Sequence, residues 1–335
     1  MIDTRFGDMA RFTSLRRDSG RLNRQISVLA GELASGVVAD KARHLRGDLT
    51  RLASVSRAME RALVHRHTAE AAGLVIGAQQ GVIDDIRNMA QARLGDLTIL
   101  DQSRSAGAVP AVIDTMAQGF SDLVNRLNTS LAGRTLLAGA TSDGPAVVSA
   151  DTLLDALLAG LPPDTDAADL GTHVAQWFAD GGGFDSAGYV GGPPAKAGLA
   201  LGQGMTTSAA PTARDAAFRT TLAAFATGAL LSRGLYATDP ESQRVVLWDA
   251  AQALGRANAA LTGLAARIGV EEAKLAEATS RAVAEHTAMT LARNALIEAD
   301  PYETATRLEQ AMGQLDMVYT LTARLSRLSL VEYLR

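Results

Sequence analysis

Cysteine is missing from all 335 residues, which excludes disulfides and thiolate-bound metal. Aromatic side chains are scarce, at 4% of the chain. Ala, Leu and Arg dominate instead, a composition that favours helices packed through small and aliphatic side chains over a thick aromatic core. Long apolar runs are also missing. TTLAAFATGALLS, between Arg219 and Arg233, has thirteen residues and is too short to cross a bilayer as a helix. No apolar core of seven residues follows the charges of MIDTRFGDMARFTSLRR, so a cleaved secretory signal is not expected. Lys and Arg are absent from Thr135 to Ala195, a Gly-, Pro- and Ala-rich segment holding eight acidic residues. Residues 1–66 are the opposite, with thirteen basic side chains against seven acidic ones, so the overall net charge of −4 hides a segregation that marks a separate region. A 47% hydrophobic and 20% charged content excludes global disorder, and the length admits two or three domains.

Among the residues that are present, the last ninety-odd organise the chain. No Pro falls between Glu241 and Asp300. Steps of three and four trace Leu247, Ala251, Leu254, Asn258, Leu261, Ala265, Ile268, Glu272, Leu275, Thr279, Ala282, His286, Met289, Arg293 and Leu296. One helix over this stretch would reach roughly 88 Å, far beyond a globular helix, and its seam predicts coiled-coil contact with other long helices. Asp300-Pro301 interrupts it, since the residue before Pro avoids helical geometry while Pro suits the first position of a new helix. The next seam is Leu308, Met312, Leu315, Tyr319, Thr322, Leu325 and Leu328, broadened by Val318, Leu321 and Leu330.

The N-terminus has its own seam, Phe12, Leu15, Ser19, Leu22, Ile26, Leu29 and Leu33, which Ser35-Gly36 should stop. Helix is predicted to resume near Asp48 and run to Leu100. A break from Ser105 to Pro110 then precedes an amphipathic helix through Ile113, Met116, Phe120, Leu123, Leu127 and Leu131. Arg134 to Ala140 reads as a short strand or turn, and Ser142-Asp-Gly-Pro145 as a turn. Short helices over 151–159 and 167–179 and short strands over 188–190 and 197–201 follow. Helix is expected again from Ala213 to Arg233, with a break at Tyr236 to Pro240. The fold expected is mainly α: a long helical bundle or coiled coil from the N- and C-terminal halves, carrying a smaller mixed α/β or irregular insertion. The division is 1–40 as an N-terminal assembly helix, 41–140 with 212–300 as a helical rod, 141–211 as an outer insertion and 301–335 as a C-terminal assembly helix.

Catalytic and cofactor signatures do not assemble. His65 and His67 lie two apart on a helix and point to different faces, so one metal ion does not suit both. His44 and His173 have no ligand-spaced companions, and His286 sits in a seam, where a polar residue sets register. Asp84-Asp85 and Glu271-Glu272 read as solvated charge. Gly181-Gly-Gly183 and Gly202-x-Gly204 complete no nucleotide-binding pattern, and no Gly-x-Ser-x-Gly or His-Glu-x-x-His occurs. Arg16, Arg17, Arg21 and Arg24 form the densest basic patch, yet no stacking aromatics accompany it and the acidic middle would repel nucleic acid. No enzyme activity, metal, cofactor, nucleic acid or membrane contact is expected.

Four stretches resemble the flagellin superfamily and, within it, the hook-associated protein 3 family of hook-filament junction proteins. Ala299-Asp-Pro-Tyr-Glu-Thr-Ala-Thr-Arg-Leu308 and Leu325-Ser-Arg-Leu-Ser-Leu-Val-Glu-Tyr-Leu334 look like that family's closing helix. LAGELASG at Leu29–Gly36 is similar to the close of its first helix, and LNTSLAGRTLLAGATSDGP at Leu127–Pro145 to the segment before its outer domain. Val37 to Asp48 departs from the family's usual acidic turn, and the resemblance does not extend over Ala146 to Pro211. The resemblance implies a structural protein of the bacterial flagellum, exported by the type III route without a cleaved signal and located outside the cell at the junction. Implied partners are copies of itself in a ring, hook-associated protein 1, flagellin and an export chaperone on the C-terminal helix. The implied interface is the pair of terminal seams: Leu15, Leu22, Ile26, Leu29 and Leu33 with Leu308, Met312, Leu315, Tyr319, Leu325 and Leu328. A flagellin filament subunit and a non-flagellar secreted coiled-coil scaffold are the alternatives.

Overall fold

The computed structural model describes residues 3–103, 106–194, 198–202 and 204–333, with side chains described except at 3–9, 11–12, 102–103, 106 and 326–333. The expected positions Phe12, Ser105, Ala197, Leu328 and Leu330 lie outside these residues or side chains. The fold is mainly α. Its elements are α1 (Asp3–Ser35), α2 (Lys41–His44), α3 (Thr50–Ser103), α4 (Val109–Leu127), β1 (Ser130–Leu131), β2 (Arg134–Thr135), α5 (Ala150–Ala159), α6 (Ala167–Phe178), β3 (Ala200–Gly202), β4 (Met205–Thr206), α7 (Ala216–Ala229), α8 (Pro240–Ile297) and α9 (Pro301–Tyr333). They divide into two compact units: 1–62 with 284–335, and 63–283.

Local chemistry sets the breaks. Gly36 takes φ +68° directly after α1, the left-handed geometry that ends helices at low cost in glycine. Asp48 Oδ1 accepts the Thr50 amide at 2.9 Å before α3, and Asp300 Oδ1 accepts the amides of Tyr302 and Glu303 at 2.9 and 3.0 Å before α9. Each carboxylate satisfies donors that the first helical turn leaves unpaired.

In the larger unit the core joins Ile83, Ile86 and Ala90 of α3, Phe120 and Leu123 of α4, Phe218, Leu222 and Phe225 of α7, and Leu254, Leu261 and Ile268 of α8. The thirteen-residue apolar run supplies the central helix of this core: α7 is buried on nearly every face, as a helix apolar all round must be. No described helix is long and apolar enough to cross a membrane. All fifteen positions of the seam from Leu247 to Leu296 are buried or half-buried.

The acidic insertion folds as α5, α6 and one turn of π-helix, Phe184–Gly188. Strand content near 188–190 is a single bridge between Val147 and Tyr189. Asn128, just past α4, holds the insertion's entry: its Oδ1 accepts the amides of Ala146 and Val147, and its Nδ2 donates to the Val147 carbonyl. Gly119 lets α7 approach α4, since a Cβ there would meet the Phe225 ring at 2.7 Å.

Candidate assembly interface

α1 and α9 pack along their length in the smaller unit. Their turns are joined by backbone: the Val38 amide donates to the Ile297 carbonyl at 3.0 Å, and the Ala299 amide to the Gly36 carbonyl at 2.9 Å. A bridge between Val37 and Glu298 completes the clasp, so the stop after α1 and the break before α9 form one structural feature. Glu32 Oε1 accepts the Ala39 amide at 2.7 Å and fixes the chain's exit from α1.

On α1, Leu22 and Leu29 are buried, Leu15 and Ile26 half-buried, and Leu33 exposed. On α9 the inward line is Thr304, Leu308, Ala311, Leu315, Val318 and Thr322, all buried or half-buried, in steps of four and three. Thr304 and Ala311 were not among the expected interface residues, because they are small or polar and leave little trace in an apolar count. The 4-3 spacing from Leu308 through Leu315 was the available signal. Ala311 suits a close crossing, where a larger side chain would push the helices apart.

Met312 and Tyr319 lie to one side of that line and remain 55% and 54% exposed. Leu321 and Leu325 lie to the other, 50% and 39% exposed. At 3.6 residues per turn these two flanks stand about a quarter turn from the seam, so the apolar arc of α9 covers roughly half its circumference. A single partner helix covers only the middle of such an arc. The structure brings Leu15, Leu22, Ile26 and Leu29 to the same helix pair as Leu308 and Leu315, while Met312, Tyr319 and Leu325 keep much of their surface free.

The larger unit also has a groove of about 850 Å³ between α3 and α8. Leu94, Leu97, Val245, Trp248 and Ala251 line it, with Trp248 half-exposed at its lip.

A buried charge cluster there was not legible from motifs. Arg219 of α7 donates from Nη2 to Asp185 Oδ1 at 2.8 Å and to Asp180 Oδ1 at 3.1 Å. Its Nη1 reaches the Ala179 carbonyl at 2.8 Å and its Nε the Arg214 carbonyl at 2.7 Å. Arg214 Nε adds a 2.8 Å bond to Asp185 Oδ1. Burial pushes the Asp185 carboxyl up, but the bonds from Arg214, the Gly181 amide and Arg219 outweigh it and hold the group below the usual carboxylate range. The signal available in the sequence was Arg219 itself, a cation bordering the longest apolar run.

Residues 251–334, which include most of α8 and all of α9, match the family model of the bacterial flagellin C-terminal helical region. The match makes this C-terminal quarter of the chain similar to the helical end of flagellins. A search of curated proteins finds no match.

Proposed function

We propose that this protein is a structural part of the bacterial flagellum and joins hook to filament, its terminal helices forming the contacts between subunits. The observation that carries this reading is the half-circumference apolar arc of α9, inside the flagellin-like region, of which α1 covers only the centre. Uncovered apolar flanks on a long terminal helix suit a ring in which neighbouring copies supply the missing helices. In this reading 1–40 and 301–335 are assembly segments, 41–140 with 212–300 the rod, and 141–211 the outward insertion. Hook-associated protein 1 lies on one side, flagellin on the other, and an export chaperone covers α9 before assembly. Export proceeds by the type III route.

The junction is favoured over the filament by the LLAGATSDGP segment at 136–145 and the LSLVEYL ending at 328–334. Quantitative mass spectrometry of intact sheared flagella tests this. A few copies per filament are expected; a copy number that dominates the filament would make the protein the flagellin, and absence from the preparation would favour a non-flagellar scaffold.

A further inference from the structure

Among the described residues of the larger unit, Arg219 is the one buried cation, and it depends on carboxylates for its charge balance. Arg219 is 7% exposed, and the side chain of Asp185 is 12% exposed. Asp185 accepts from both Arg219 and Arg214 and also takes the Gly181 amide at 2.7 Å on Oδ2. It therefore ties the turn that closes the insertion, residues 179–189, to α7 and to the loop before it. The charged and titratable groups facing Asp185 are Arg219 and Arg214 from the α7 side, Asp180 on its own turn, and Tyr189, over whose ring Arg214 lies at 5.7 Å. Asp180 cannot replace it, since that carboxylate is 94% exposed and meets Arg219 by one oxygen. Beneath the turn, Phe178 and Phe184 stack at 5.4 Å and are closed from solvent.

We propose that Asp185 is the catch of an acid-released latch: protonating it leaves Arg219 as a buried cation without its main counter-charge, and the 179–189 turn lifts from α7, uncovering Phe178 and Phe184 while the α4–α7 core stays folded. A neutral carboxyl carries no counter-charge and turns an O–H donor toward guanidinium groups that are donors only, and breaking one side of a buried ion pair is far more damaging than removing both. The release is local because the turn's attachment to α7 runs through this cluster, while the Val147–Tyr189 bridge and the bond from the Val148 amide to the Gly188 carbonyl keep the turn on the insertion, and α4 and α7 are joined by Met116, Phe120, Leu222 and Phe225. The insertion is thereby a segment whose exposure is set by pH.

Hydrogen exchange of the full chain, read by mass spectrometry from pH 7 to pH 3 and corrected for intrinsic rates, tests the latch. Peptides covering 179–189 are expected to lose protection by up to about tenfold as pH falls from 5 to 3, while α4 peptides keep theirs. Asp185→Asn should show the same loss at pH 7 and no further pH step. Asp180→Asn should follow the wild type. Protection of 179–189 that persists to pH 3, that disappears only together with α4, or that loses its step in Asp180→Asn would overturn the proposal. If Asp185→Asn does not fold, the wild-type and Asp180→Asn series decide it alone.

Discussion

Asp249 lies on α8 with its carboxylate against α6, where a Cβ built on Gly171 would stand 3.4 Å from Oδ2. Burial raises its carboxyl above the ordinary value, and the nearby Arg256 opposes this only in part. The native state therefore holds the proton more tightly than the unfolded chain does. Stability from this group is present below the ordinary carboxylate value and is lost as pH rises through the higher native value, so at neutral pH the ionised form is a burden. Asp249→Asn, which keeps the shape and removes the charge, should raise Tm at pH 7 and give no gain at pH 3. A Tm at pH 7 unchanged or lowered in that variant would refute the argument. In the sequence Asp249 is one charge among many on a long helix. Its desolvation comes from Gly171, 78 positions away, and no helical pattern carries that information.

For the elements, the terminal helices separate two kinds of apolar position. Leu22 is buried between α1 and α9, whereas Met312 is more than half exposed. Leu22→Asp should place an unpaired charge in the helix pair at a cost of several kcal/mol and increase hydrogen exchange in both α1 and α9. Met312→Asp should leave exchange in the monomer as it was and, on the assembly role proposed above, still block incorporation into flagella, because its side chain would be buried only against another copy. Incorporation of Met312→Asp at wild-type levels would remove the flank from the interface. The seam that holds α8 was legible from Leu247 to Leu296, since seven of its fifteen positions are Leu, Ile or Met and from Leu247 to Leu275 such residues recur every seventh position. The inward line of α9 was harder to read because Thr304, Ala311 and Thr322 occupy half of it, and small or hydroxyl-bearing residues pack closely without adding to hydrophobic periodicity.

Across the molecule, several carboxylates are held below their ordinary values: Asp185 by the arginine cluster, Glu271 by Ser208 despite its burial, Asp239 by Ser242 at the start of α8, and Asp48 by Thr50 before α3. For each, the contribution to stability is present above the unfolded value and is lost as pH falls through the lower native one. Thermal melts followed by circular dichroism should keep a nearly constant contribution from these groups above about pH 5 and show Tm falling steeply below about pH 4. A Tm that stays flat down to pH 2.5 would contradict this. The sequence by itself determined the mainly helical class, the length of α8 and the stops at Gly36 and Pro301. These follow from propensity, capping and composition, which act over a few residues and are written in order along the chain. Only the tertiary structure decided which positions of α9 face α1, that the clasp of Gly36 with Ala299 unites two distant breaks, and that Arg219 finds Asp185 across the unit. Those depend on which surfaces meet, and a contact between residues dozens to hundreds of positions apart is fixed by packing and charge balance that no local spacing encodes.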